Sequence, residues 1–123
     1  MTGFRFDNIV GDTGDLVMIQ GKTCYFTLVW GNTTPVDVTG FTAKLVAKKS
    51  PSATSKILEC TIANGRVAIG GSNGRITFTV TASDSANLVA PQFGVYEIEV
   101  TTASGIVHRV ITGRFSLIAE IAI

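Results

Sequence analysis

Hydrophobic and polar residues alternate along most of this chain. In residues 23–30 (TCYFTLVW), Cys24, Phe26, Leu28 and Trp30 fall on one face and Thr23, Tyr25 and Thr27 on the other. A period of two, rich in β-branched and aromatic residues, predicts a half-buried strand. The rhythm returns in 40–48, where Phe41, Ala43, Leu45 and Ala47 oppose Thr42, Lys44, Val46 and Lys48. In 57–62, Leu58, Cys60 and Ile62 share a face. In 75–81, Ile76, Phe78 and Val80 point inward, and Thr77, Thr79 and Thr81 outward. After Gly94, the inward set is Tyr96, Ile98 and Val100, with Glu97 and Glu99 outside. Residues 106–123 read as a long strand interrupted at Gly113, whose faces the pattern does not assign.

Turn chemistry separates these runs. Gly31–Pro35, Ser50–Ser55, Asn64-Gly65, Gly70–Gly74 and Ser104-Gly105 are rich in the residues that reverse a chain. The one helical stretch is Ser83–Leu88, with Thr81 or Ser83 as its cap and Asp84 suited to a helix N-terminus. About seven to nine short strands result, the signature of a β-sandwich or small barrel. Helices do not alternate with strands, which excludes a doubly wound sheet.

Length sets a single domain over residues 1–123, large enough to bury a core without staples. Hydrophobic residues make up 46% and charged residues 15%. That balance excludes a disordered chain, and so little charge predicts that partners cover part of the surface. The 10 basic and 9 acidic residues are scattered, with Lys44, Lys48, Lys49 and Lys56 the nearest to a cluster. No nucleic-acid partner is expected without a concentrated basic face. Met1–Phe6 does not read as a secretory signal. No apolar run reaches the roughly 18 residues of a membrane span, so no membrane role is expected. Synthesis and first folding are expected in a cytoplasm, where Cys24 and Cys60 stay reduced.

Several motifs resemble chemistry, and each has a plainer reading. Gly70-Gly71-Ser72-Asn73-Gly74 has the letters of a nucleophile elbow, but a strand follows where a helix is required. Gly21-Lys22-Thr23 lacks the earlier glycine of a phosphate loop and also runs into a strand. His108 is the only histidine, and no serine–aspartate pair or ligand spacing is marked around it. Glu97 and Glu99 share a face, where pairing with Arg109 or Arg114 across a hairpin is expected before acid–base work. Asp7, Asp12 and Asp15 fit no calcium-loop spacing. Asn32-Thr33-Thr34 is formally a glycosylation sequon, read here as a turn. Cys24 and Cys60 fall on inward faces, either paired across a sandwich or buried as free thiols, the cytoplasm favouring the thiols. These readings give no catalytic residue, no cofactor and no metal, so the chain is not expected to be an enzyme.

Phe26–Trp30, followed by Gly31-Asn32-Thr33-Thr34-Pro35-Val36-Asp37-Val38-Thr39-Gly40-Phe41-Thr42-Ala43-Lys44, resembles a pattern in small bacteriophage proteins. The same pattern occurs in the N-terminal domain of siphophage upper baseplate proteins. Asn64–Val67, Gly74–Phe78, the helix ending near Leu88, Gly94–Val100, Gly105 and Arg109–Gly113 agree with it in order, so the resemblance spans about residues 16–119. It implies an all-β, immunoglobulin-like β-sandwich in a phage tail or baseplate, connecting fibres or receptor-binding proteins to the tail. It implies a virion location, other tail or fibre proteins as partners, and a homo-oligomer, trimeric or hexameric. Unlike the upper baseplate proteins, this sequence has no long extension after the domain.

A connector works through interfaces. Two terminal stretches carry apolar residues suited to completing a neighbour's sheet. Phe4 and Phe6 lie in the first, and Ile118, Ile121 and Ile123 in the second; the alternative is that both ends form strands of their own sandwich. The rival functions are a carbohydrate-binding sandwich of a tail fibre and a capsid decoration protein. Trp30 and Tyr96 fall on predicted inward faces, which argues against an exposed sugar platform.

Overall fold

The computed structural model describes residues 4–7, 15–30, 34 and 36–121, with the backbone alone for 4–7. These form nine strands and one short helix. The strands are β1 (Phe4–Asp7), β2 (Leu16–Ile19), β3 (Cys24–Trp30), β4 (Thr42–Lys48), β5 (Leu58–Cys60), β6 (Val67–Ile69), β7 (Arg75–Val80), β8 (Gln92–Thr101) and β9 (Val107–Ile118). The helix α1 covers Ala82–Ala86. One sheet has the order β1-β3-β7-β6 and the other β2-β9-β8-β4-β5. All neighbours are antiparallel except β2 and β9, which run parallel. This is an immunoglobulin-like β-sandwich, with two sheets closing on one core.

The alternation read in the sequence builds that core. Phe26, Leu28, Ile76, Phe78 and Val80 line the first sheet's inner face, and Leu45, Ala47, Ile98, Val100, Phe115 and Leu117 the second's. Phe26 and Phe78 stand opposite each other in register and stack at 4.9 Å between ring centroids. Burying each such side chain contributes about 1.5–3 kcal/mol against leaving it in water. Val38, in the connection between β3 and β4, is fully buried and caps the core from one end. Its amide donates to Gly71 O at 3.0 Å, while the Asp37 carboxylate accepts from the Thr39 amide and hydroxyl.

Three sequence expectations are refined. Thr27, assigned to an outward face, is buried along with Val29, and its hydroxyl lies 3.4 Å from that of Thr77 on the neighbouring strand. Ile62 falls beyond the end of β5, in the turn, and is exposed rather than aligned with Leu58 and Cys60. The last strand is not interrupted at Gly113; it is continuous through that residue, which faces Tyr96, the largest fully buried side chain.

The helix is shorter than expected and capped by Thr81, whose hydroxyl accepts from the Asp84 amide at 3.1 Å. It positions Ser85, which is fully buried and ties down the turn between β2 and β3. The Ser85 hydroxyl donates to Lys22 O at 2.8 Å and accepts from the Gly21 amide at 2.9 Å.

Gly94 marks the closest approach of β8 to the end of β4. A β-carbon there would collide with the main chain of Lys48 and Lys49. Gly94→Ala is therefore expected to lower stability by about 1–3 kcal/mol, read as a drop in the urea midpoint without a change of slope.

Candidate functional site

The outer face of the five-stranded sheet divides into two regions. One is charged. Glu97 pairs with Arg109 at 2.5 Å and Glu99 with Lys44 at 3.7 Å. These groups, with Val46 and Lys48, line a shallow groove of about 390 Å³. The paired carboxylates are thus a cross-strand ladder, as expected; Arg114 pairs instead with Asp15, at 3.3 Å. Exposed pairs of this kind are worth about 0–1 kcal/mol. Each acid in the ladder is held by a cation.

The other region is apolar. Register carries Val17 of β2 onto Ser116 of β9 and Phe93 of β8, and Ile19 onto Ile118. Four large side chains therefore share one corner of the outer face, with exposures of 43% for Val17, 46% for Ile19, 61% for Phe93 and 38% for Ile118. Ile121, 95% exposed, follows on the chain leaving that corner. Contiguous exposed apolar groups on a sheet face mark contact surfaces. This corner also contains an edge, because β2 is the last strand of its sheet among the described residues.

The sequence candidates distribute unevenly. Ile118 and Ile121 lie at this corner. Ile123 lies outside the described residues. Phe4 and Phe6 sit on β1, at the edge of the other sheet, where the backbone pairs with Trp30 and Leu28 of β3. Val17, Ile19 and Phe93 were missed. Their signal was present as apolar residues at outward positions of period-two runs, but which strands are neighbours is a property of the fold.

The remaining motifs take structural places. Gly70–Gly74 forms the hairpin between β6 and β7, with Gly71 at φ 110° and Gly74 at φ 71°. Gly21 and Lys22 form the turn entering β3, where the Lys22 ammonium meets the Glu120 carboxylate at 2.6 Å. His108 is exposed on β9, its ring 5.5 Å from that of Trp30. Trp30 also meets the Phe41 ring edge-on at 5.9 Å and is half-buried. Asn32 and Asp12 lie outside the described residues. Among the described residues, no group of three or more His, Cys, Asp or Glu side chains is placed to hold a metal ion. Among the described residues, no helix is long and apolar enough to cross a membrane.

Cys24 and Cys60 are free thiols. They occupy β3 and β5, one in each sheet. Burial raises both, and pushes the Cys60 thiol up to about 12. A thiol held protonated is a poor nucleophile.

No family model matches the chain, and no curated protein matches it. Among solved structures, the chain is similar to murine CRIg, at 8% identity and a TM-score of 0.43, covering 98% of this chain and 99% of that one. It is similar to a chain in "Structural basis of T cell specificity and activation by the bacterial superantigen toxic shock syndrome toxin-1", at 14% identity and a TM-score of 0.45, covering 98% and 100%. It is also similar to the Lin-41 filamin domain, at 12% identity and a TM-score of 0.45, covering 95% and 97%. Likeness at this level adds nothing about activity; the immunoglobulin-like class stands on the strand order and register.

Burial also raises the Tyr96 hydroxyl, to about 12 from an ordinary 10.0, and Cys60 starts from 9.0. Both groups ionise more readily once unfolded. Their stabilising contribution is therefore complete below pH 9 and is lost as pH rises toward 12, by up to roughly 1.4 kcal/mol per pH unit per group. Urea midpoints are expected to fall steeply between pH 9 and pH 11, and less steeply in Cys60→Ala.

Proposed function

We propose that this chain is a non-enzymatic structural domain of a bacteriophage tail or baseplate, a connector that joins fibre or receptor-binding proteins to the tail. The observation that carries this reading is the ordered resemblance over residues 16–119. Several of its segments coincide with features that shape the sandwich. Val36–Lys44 supplies the buried Val38 cap and the start of β4. Gly94–Val100 supplies the close crossing of β8 over β4.

A connector needs surface that holds a neighbour, and the apolar corner of Val17, Ile19, Phe93 and Ile118 supports that requirement. Contact rather than chemistry is then the mechanism: removing these side chains from water on assembly supplies the driving force, at about 25 cal/mol per Å² buried. The charged ladder beside the corner sets orientation more than affinity. The partners are other tail, baseplate or fibre proteins, with further copies of this chain, in the virion.

Gold-conjugated antibody against the chain, viewed on virions by electron microscopy, tests the reading. Label at the tail tip or baseplate is the expected result. Label on the head would instead make the chain a decoration protein, and unlabelled particles would remove the structural role. A second expectation concerns the corner. Phe93→Ser combined with Val17→Ser should leave the urea midpoint within about 0.5 kcal/mol of the parent in stability, yet reduce incorporation into particles.

A further inference from the structure

Among the described residues, β2 is bonded on one side only, to β9. The Gln20 amide donates to Ile118 O at 2.9 Å. Alternation along a strand then turns the main-chain groups of Leu16, Met18 and Gln20 toward β9, and those of Val17 and Ile19 toward the open side. Val17 and Ile19 are also the two β2 residues whose side chains stand on the outer face. The same pair thus offers edge-facing main-chain groups and exposed apolar side chains, although the Ile19 carbonyl already accepts one hydrogen bond, from the Lys22 amide at 3.1 Å.

Charge marks the two ends of this edge differently. At the start, Asp15 stands beside Arg114 of β9, 3.3 Å apart. At the finish, Lys22 stands beside Glu120, 2.6 Å apart. The acid is on the β2 side at one end and the base is on the β2 side at the other.

We propose that the β2 edge pairs antiparallel with the same edge of a second copy of this chain, about a two-fold axis, with Val17 of each opposite Ile19 of the other. The inference rests on the connector reading only in taking this corner as an assembly surface. In this register, outward residues meet outward residues and edge-facing main-chain groups meet edge-facing main-chain groups, the Ile19 carbonyl accepting a second hydrogen bond; a slip by one residue would lose both matches. Asp15 of one copy comes beside Lys22 of the other, with Arg114 behind the acid and Glu120 behind the base, so each end closes as a row of alternating sign. A parallel copy would set acid against acid and base against base. Charge complementarity therefore selects a two-fold contact, in which one patch meets itself. The two apolar corners fuse into one strip across a ten-stranded sheet, five strands from each copy. A four-residue strand forms few hydrogen bonds, so the strip supplies much of the attraction and the dimer forms in a concentration-dependent way.

Sedimentation equilibrium of the full chain, from micromolar to millimolar, tests this. A monomer–dimer equilibrium is expected, weakened about tenfold or more by Val17→Lys, a loss of roughly 1.4 kcal/mol or more in binding. Asp15→Lys alone and Lys22→Asp alone should each sediment as monomers, because each sets like charges together at both ends. An equimolar mixture of the two should recover the dimer, since each copy then carries the charges the other lacks. Cooperative melting of every variant shows that it is folded. A parent chain that stays monomeric, or a dimer indifferent to Val17→Lys and to the charge changes, would overturn the proposal. So would a trimer formed without a dimer. Monomers in solution together with gold at the tail would leave the connector reading standing and this one refuted; a dimer without label on virions would do the reverse.

Discussion

Packing between the inner faces of two sheets is the interaction on which the rest of the structure depends. Phe26 stacked on Phe78, with Leu28 and Ile76 in the next row, faces Leu45, Ile98, Phe115 and Leu117 across the core. Each inward residue fixes the direction of its neighbours, because successive side chains of a strand point to opposite faces. Once Tyr96, Ile98 and Val100 are buried, Glu97 and Glu99 must stand outside, where they meet Arg109 and Lys44. The same logic places Val17 and Ile19 outside when Leu16 and Met18 are buried. The apolar corner is therefore a consequence of the core.

Much of this was legible in the sequence. Clean alternation in 23–30, 40–48, 75–81 and 94–100 identified β3, β4, β7 and β8, and turn residues found the hairpins. What alternation could not supply was pairing. β9 shows why. Its register shifts against β8 between Ile98 and Glu99, which stand opposite Ile111 and Arg109. Val110 is the extra residue in that step, so Val110 is buried and Ile111 packs beside it. Two successive inward residues break a period of two, and the faces of 106–118 could not be read without the partner strand.

The candidate surface was half legible for the same reason. Ile118 was recognisable as an apolar residue near a chain end. Val17, Ile19 and Phe93 are separated from it in sequence, and only the order β2-β9-β8 brings them to one corner. The buried Thr27 is the opposite case: its residue type indicated solvent, but a central strand with a threonine across from it accommodates the hydroxyl inside. Residue type predicts exposure only where the opposite face is open to water.

The central claim is that this domain acts by contact through the corner where β2, β9 and β8 meet. Residue-resolved hydrogen exchange on the dilute chain and on its assembled form tests that claim most directly. The account predicts slowed exchange at the Val17 and Ile19 amides on assembly, with the β5 and β6 edges unchanged. Protection confined to β5 or β6, with Val17 and Ile19 exchanging as freely as in the dilute chain, would contradict it.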